Sequence, residues 1–233
     1  MAFSAVPVES SAFASEEAVK RIMSRPTLFG ATYSVYARIP RLALEEVGAP
    51  YDLVEVDIFA KDKVAADYAE RHPFGRIPAF EHDGFRLFET DAIVGYIVES
   101  FAGGALVPDG ARERARMRQI MRIADNYAYR ALVWEIYVEE AERDRAGRLE
   151  PAELDRGRLC LRVLDDLAGA GFVVGSRVTL ADLWLQPMLC YLNLAPTGRM
   201  LLRERPKLGA WLARMQERPS VVATRYPAET HAG

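Results

Sequence analysis

Apolar and polar residues alternate in two different ways along the chain, and the change falls near residues 101–110. Before it, short runs with the two-residue period of strands are separated by stretches with helical spacing. After it, long helical patterns rich in Arg, Glu, Leu and Ala continue almost to the end. The pattern predicts an extension at 1–25 and an α+β domain at 26–103. A linker at 104–111 then leads to an all-helical domain at 112–227.

The first domain contains four predicted strands and three predicted helices. Pro40 lacks an N–H and fits only the first turn of a helix, so the first helix begins near Tyr36 or Ala37, or is kinked. The order βαβ-α-ββα, with a parallel pair and an antiparallel hairpin, is the thioredoxin arrangement. The strands are placed at 26–30, 51–58, 77–81 and 85–88, and helical patterns cover 39–48, 61–71 and 91–101.

The second domain contains four predicted helices, at 112–145, 151–169, 179–194 and 206–217. Thr179, followed three residues later by Asp182, forms a capping-box pair at the start of the third helix, and Val178 is placed to staple it. We assign this pair a structural role and no chemistry.

Composition narrows the classes of function. The 30 Lys and Arg residues against 33 Asp and Glu leave a net charge of −3, which gives no reason to expect nucleic acid. Cys160 and Cys190 form neither a CxxC motif nor a metal-ligand spacing, so we expect no metal and a reducing, cytoplasmic compartment. No apolar run approaches the roughly 20 residues that span a bilayer, and the acidic extension fits no targeting peptide. We therefore expect no membrane association.

The segment HPFGRIPAF at residues 72–80 places a proline at the start of a predicted strand, where it cannot donate to the sheet ladder. A cis Ile77–Pro78 bond would turn the backbone of Ile77 outward, where it could pair with a peptide-like ligand. A trans proline at the start of an edge strand is the alternative, since only about 5–6% of X-Pro bonds in folded proteins are cis.

Glu89 and Thr90 follow the predicted hairpin. Thr90 stands where a helix N-cap belongs, so its hydroxyl and the N–H groups of the next turn form an anion site. Glu89 supplies a counter-charge for an ammonium group. The two residues together suit the amino-acid end of a ligand, and an ordinary capped helix is the alternative.

Three hydroxyl groups stand in the loop between the first strand and the first helix, on Tyr33, Ser34 and Tyr36. A hydroxyl here could donate a hydrogen bond to a thiolate, whose parent thiol has a pKa near 8.5. One such bond, about 1.5–3 kcal/mol with a charged partner, lowers that pKa by about one to two units. A polar turn without chemistry is the alternative.

In this order and spacing, these segments resemble the cytosolic glutathione transferase superfamily, in particular a serine-type, phi- or theta-like, bacterial-style member. The stretch PFGRIPAFEHDGFRLFETDAI is close to the phi pattern, VGSRVTLADL is similar to the buried capping box, and PKLGAWLARMQERPSV is typical of the last helix. The resemblance covers roughly residues 26–227. It implies a thioredoxin-like domain followed by an all-helical domain.

The resemblance also implies roles for individual residues. Ser34 takes the place of the thiol-activating serine, with Tyr33 and Tyr36 as alternatives. The glutathione-binding residues it implies are Lys63 for the glycyl carboxylate, Arg76 lining the site, Ile77 and the cis-proline Pro78 at the cysteine, and Glu89 with Thr90 at the γ-glutamyl end.

The implied reaction is attack of the glutathione thiolate on a small apolar electrophile, with glutathione as co-substrate, no cofactor, and a homodimer as the assembly. Conjugation and hydroperoxide reduction both use this thiolate. The second substrate would lie near Tyr36 and a stripe on the long helix, although core or dimer packing is the ordinary explanation of such a stripe. The stripe consists of Tyr127, Arg130, Trp134 and Tyr137.

Two other functions remain open. A non-catalytic ligand-binding or regulatory module with the same fold is the main alternative. A disulfide reductase is disfavoured because no cysteine lies near Ser34.

Overall fold

The computed structural model describes residues 25–60, 66–145 and 147–230 of the 233-residue chain. Apart from its last residue, the predicted extension lies outside these ranges. So does the first part of the helix predicted at 61–71, of which a short 3₁₀ helix, Ala66–Glu70, is described.

In the described residues one sheet is formed by four strands, Thr27–Gly30 (β1), Asp52–Glu55 (β2), Ala79–His82 (β3) and Phe85–Phe88 (β4). Their order in the sheet is β2-β1-β3-β4. Strand β1 pairs in parallel with β2, and β3 pairs antiparallel with both β1 and β4. This confirms the predicted thioredoxin arrangement. Strand β2 is shorter than predicted because, among the described strands, it pairs with β1 alone, and that pairing ends where Gly30 lies opposite Glu55.

Within the described part of the first domain, two α-helices accompany the sheet, α1 at Val35–Glu46 and α2 at Thr90–Phe101. Helix α1 contacts α2, and it also contacts two helices of the second domain. Leu28 of the sheet and Tyr226 near the C-terminus belong to the same cluster of buried apolar side chains. The core is therefore continuous between the domains, and α1 lies at their junction.

The second domain is helical throughout, as predicted. Its long first helix has two parts, because an α-helix continues directly into a π-helical segment with a wider turn. Three short helices that the periodicity did not predict each begin with proline, a residue favoured at the first helical position. The bounds are Ala111–Ile123 (α3), Ala124–Glu142 (the π segment), Pro151–Leu167 (α4), Leu180–Leu194 (α5), Pro196–Arg203 (α6), Pro206–Gln216 (α7), Pro219–Ala223 (α8) and Pro227–Thr230 (α9).

Helix α5 is the centre of the second domain, and most of its residues are buried. Its N-cap is Thr179, as predicted, and the fully buried carboxylate of Asp182 accepts hydrogen bonds from the Thr179 N–H at 2.8 Å and the Thr179 hydroxyl at 3.0 Å. The other carboxylate oxygen accepts from the Val173 N–H and the Trp211 Nε1–H, both at 2.8 Å. The capping box therefore ties three segments together. In the described ranges no helix combines the length and the apolar character needed to cross a membrane.

Candidate active site

Ser34 is the N-cap of α1, and its Oγ accepts a hydrogen bond from the Ala37 N–H at 3.2 Å. The helix begins at Val35, slightly earlier than predicted. A hydroxyl that accepts a capping bond still has its own proton to donate. No acidic residue lies in the first turn of α1, so the N-terminal end of the helix dipole favours an anion next to Ser34. The position suits a hydroxyl that stabilises a thiolate.

The two neighbouring tyrosines both have a carboxylate as their partner. Tyr33 donates its hydroxyl proton to Asp57 at 2.7 Å, and the hydroxyl of Tyr36 lies in the field of the negatively charged Asp125. Burial raises the pKa of both tyrosines, and the next cause is the hydrogen bond to Asp57 at Tyr33 and the negative charge of Asp125 at Tyr36. Of the three hydroxyls, Ser34 is the one without a carboxylate partner among the described residues.

Glu89, and not Thr90, is the N-cap of α2, so the predicted cap position is wrong by one residue. Glu89 has a φ of 71°, a conformation that residues other than glycine rarely adopt and that occurs preferentially at functional sites. Its side chain makes no capping bond to the helix. The carboxylate is therefore not used to satisfy the start of α2.

Thr90 is buried, and its hydroxyl donates to the carbonyl of Tyr36 at 3.3 Å. Pro40 explains this contact. In an α-helix the N–H of residue 40 would bond to the carbonyl of residue 36, but proline has no N–H to give. The hydroxyl of Thr90 replaces the missing donor, which allows α1 to continue through Pro40. Sequence reasoning missed this role.

Thr90→Val is expected to destabilise the protein by about 1–2 kcal/mol, because the Tyr36 carbonyl then has no donor. In a Pro40→Ala background the new N–H at position 40 supplies that donor, so the same substitution should cost about 1 kcal/mol less. Urea unfolding of the four proteins of this double-mutant cycle measures the difference. Equal costs in both backgrounds would contradict the compensation.

The Ile77–Pro78 peptide bond is cis, as the resemblance implies. Strand β3 begins only at Ala79, so Ile77 lies before the sheet ladder. A Cβ on Gly30 would lie 2.7 Å from the Cβ of Ala37 and 3.9 Å from the Cβ of Pro78. The absent side chain at Gly30 therefore lets the start of α1 pack directly against the end of β1, while Pro78 lies at ordinary van der Waals distance from the same place.

His72 is a buried residue of this region that sequence reasoning did not select. Its ring lies 5.0 Å from that of Phe88, and burial lowers its pKa, so the imidazole is neutral at pH 7. The negative charge of Glu89 opposes this effect on the His72 pKa, and the positive charge of Arg76 adds to it. Arg76 itself is exposed. Lys63 lies outside the described residues.

The predicted stripe on the long helix does not form one face. In the π segment, side chains five residues apart meet: the Tyr129 and Trp134 rings are 6.4 Å apart, and Arg130 forms an ion pair with Glu135. Tyr129 also contacts the Tyr36 ring, with 4.8 Å between centroids. The aromatic wall beside α1 is therefore Tyr36, Tyr129 and Trp134.

The remaining members of the stripe lie elsewhere. Tyr127 is 62% exposed, and Tyr137 is buried against Tyr191. The prediction that these residues share one face assumed 3.6 residues per turn, whereas the π segment has more residues in each turn. Tyr129 was missed for the same reason, since it is not at α-helical spacing from the other aromatic residues.

Comparison with known proteins identifies the class to which this fold and site belong. The family described as glutathione S-transferase, N-terminal domain matches residues 24–99, and the family described as glutathione S-transferase, C-terminal domain matches residues 129–224. Between them, the matches include the loop of Ser34, the cis-proline, most of α2 and most of the helical domain. The chain belongs to the glutathione S-transferase superfamily.

Individual relatives agree with this assignment. Glutathione S-transferase F7 from Arabidopsis thaliana is 29% identical over 202 residues, which are 83% of this chain and 95% of that protein. A probable glutathione S-transferase from Oryza sativa subsp. japonica is 29% identical over 208 residues, 85% of this chain and 94% of that protein. The crystal structure of glutathione transferase F7 from Populus trichocarpa is similar with a TM-score of 0.72 at 25% identity, covering 85% of this chain and 97% of that one.

Proposed function

We propose that this chain is a glutathione transferase that lowers the pKa of the bound glutathione thiol and presents the thiolate to a small apolar electrophile. The observation that carries the proposal is the hydroxyl of Ser34 at the start of α1, a helix with no acid in its first turn. The names of the relatives in Arabidopsis thaliana and Oryza sativa support it.

Thiol activation requires little from the protein beyond one well-placed donor. A thiol with a pKa near 8.5 is only a few per cent ionised at pH 7. A hydrogen bond from Ser34 to the sulfur, together with the helix dipole, favours the ionised form. The thiolate then attacks the electrophile, a new sulfur–carbon bond forms, and the leaving group departs with the bonding electrons.

The ends of the tripeptide need charged and backbone partners. We assign the γ-glutamyl ammonium to Glu89 and its carboxylate to the first turn of α2. Ile77 contributes its backbone to the cysteine, Arg76 lines the site, and Lys63 holds the glycyl carboxylate. Because the hydroxyl of Thr90 already bonds to Tyr36, we assign its ligand contact to the N–H rather than to the hydroxyl.

The second substrate is placed against the aromatic wall of Tyr36, Tyr129 and Trp134. Flat aromatic side chains at the mouth of an apolar site suit an apolar electrophile. We infer that the chain is a serine-type, phi- or theta-like member that acts in the cytoplasm as a homodimer, with domains at 26–103 and 112–227. The bacterial-style assignment also stays a prediction.

Calorimetric titration with glutathione tests the proposal, with conjugation of a nitro-activated aryl chloride as the activity measurement. Binding together with conjugation is the expected result. Binding without conjugation would favour the non-catalytic module, and the absence of both binding and thermal protection at millimolar glutathione would overturn the proposal.

Glu89→Gln is expected to weaken glutathione binding about five- to tenfold, because the ammonium loses its charged partner while the shape of the side chain is kept. Glu99→Gln is the matched control, since it makes the same change at an exposed position near the other end of α2. Calorimetry on both variants measures the difference. Equal affinities for the two would contradict the role of Glu89.

A further inference from the structure

The peptide group that joins Tyr33 to Ser34 is held at both ends. Its N–H, from Ser34, donates to the Ala31 carbonyl at 3.0 Å within the loop. Its carbonyl, from Tyr33, accepts a hydrogen bond from the hydroxyl of Tyr191, which belongs to α5 of the helical domain. Since the orientation of this peptide plane sets the position of Ser34, one of its two restraints comes from the other domain.

Tyr191 is itself fixed in a stack of rings. Its ring centroid lies 4.5 Å from that of Tyr137 on the π segment and 4.0 Å from that of Tyr226, which is stacked on it. The guanidinium of Arg38 lies 4.2 Å from the centroid of the Tyr226 ring. All four side chains are buried, so the hydroxyl of Tyr191 has little freedom to move.

Residues at the C-terminus complete this stack. The carboxylate of Glu229 pairs with Arg38 and accepts from the Tyr226 N–H at 2.9 Å. Arg38 also donates to the Thr224 hydroxyl and to the Val221 carbonyl, both at 3.3 Å. Arg38 stands on α1 four residues after Ser34, and its N–H bonds to the Ser34 carbonyl at 2.9 Å. This series of contacts therefore begins at Arg38, on the helix that Ser34 caps, and ends at the peptide group that precedes Ser34.

We propose that Tyr191 is a positioning residue for Ser34: its hydroxyl holds the Tyr33–Ser34 peptide plane so that the serine hydroxyl points at the glutathione sulfur. This rests on the proposed function, in which Ser34 donates to the thiolate. A hydrogen bond depends steeply on distance and angle, so a small rotation of the peptide plane weakens the bond to the sulfur. Burial raises the pKa of Tyr191, so the phenol keeps its proton at neutral pH.

Tyr191→Phe tests the proposal because it removes the hydroxyl and keeps the stacked ring. The pKa of the bound thiol is expected to rise by about half a unit, with kcat/KM at pH 6.5 falling about threefold. The KM for glutathione should change less than about twofold, since the tripeptide contacts are untouched. A residue that only packs would leave the thiol pKa unchanged.

Tyr137→Phe is the matched control. It removes a hydroxyl from the other ring that packs on Tyr191, and the partner of this hydroxyl is the negative charge of Glu142. No shift of the thiol pKa is expected. An equal shift in both variants would show a general loosening of the stack and would overturn the proposal.

The double variant Ser34→Ala with Tyr191→Phe separates the possible failures. If Tyr191 acts through Ser34, the second substitution adds no shift to the first. A shift from Ser34→Ala but none from Tyr191→Phe overturns this inference and leaves the proposed function standing. No shift from Ser34→Ala overturns this inference together with the assignment of Ser34 as the donor to the thiolate, whereas failure of the proposed function itself shows as absent glutathione binding. If Tyr191→Phe does not fold, Tyr226→Leu is the variant to measure, because it removes the supporting ring and keeps the Tyr191 hydroxyl. This variant should also raise the thiol pKa. An unchanged thiol pKa in Tyr226→Leu would overturn the inference.

Discussion

Ser34→Ala is expected to raise the pKa of the bound glutathione thiol by about one to two units and to lower kcat/KM at pH 6.5 about 10- to 100-fold. The reason is the loss of the Ser34 hydroxyl, which accepts the capping bond from the Ala37 N–H and keeps its own proton for the sulfur. Glutathione binding should change little, because the charged ends of the tripeptide keep their partners. The effect should therefore fall on the chemical step.

Ser34 also caps α1, so the variant series must separate capping from chemistry. Loss of the cap in Ser34→Ala is expected to cost about 1 kcal/mol of stability. Ser34→Asp keeps a good N-cap but replaces the donor with a negative charge, so it should be stable and inactive. Ser34→Thr keeps both the cap and the hydroxyl and should retain most of the activity.

The ultraviolet absorbance of the thiolate, followed through a pH titration of the glutathione complex, measures the pKa directly. In the serine protein the thiolate should form below the pKa of free glutathione, and in Ser34→Ala close to it. An unchanged titration in Ser34→Ala would mean that another group activates the thiol. Tyr33→Phe and Tyr36→Phe would then be the next variants to compare, since these tyrosines are the alternative donors.

The sequence was sufficient to predict the sheet and the place of Ser34, because both depend on local signals. The alternation of residues, the hairpin turn and the glycine at the end of β1 are each readable within a few positions. A serine immediately before a helix is likewise a local capping signal. The parallel and antiparallel pairing followed from the order of these elements.

The role of Thr90 could not be predicted in the same way, because it depends on a contact between two helices. Pro40 indicated that one carbonyl of α1 lacks a donor, but not which side chain would supply it. The hydroxyl that does so comes from a residue 54 positions away in the chain. Such compensation requires the tertiary arrangement and is not contained in local spacing.

The aromatic wall was predicted only in part, because the long helix was assumed to have α-helical spacing throughout. Tyr36 and Trp134 were included, whereas Tyr129, which contacts both, was not. A helix with α spacing would have placed Tyr127 and Trp134 on one side. The π segment instead brings Tyr129 and Trp134 together, because residues five apart meet on its wider turn.

Asp182→Ala is expected to destabilise the protein more than any other substitution considered, by about 3–5 kcal/mol. The carboxylate is fully buried and accepts four hydrogen bonds, from two backbone N–H groups, one hydroxyl and one indole. Its removal leaves these donors buried without an acceptor, and each such donor costs about 1–3 kcal/mol before relaxation. Helix α5, which the carboxylate caps, is the centre of the second domain.

A second capping box in the same domain provides the control for Asp182. Glu153 accepts from the Glu150 N–H at 2.7 Å at the start of α4, but it is partly exposed, so water can replace the lost bond. Glu153→Ala should cost about 1 kcal/mol. Thermal unfolding followed by circular dichroism should place Asp182→Ala about 6–20 °C and Glu153→Ala about 2–4 °C below the parent protein. Similar shifts of the unfolding temperature for the two variants would mean that burial does not set the strength of a capping box. The network around Asp182 would then stabilise the helical domain no more than an ordinary cap does.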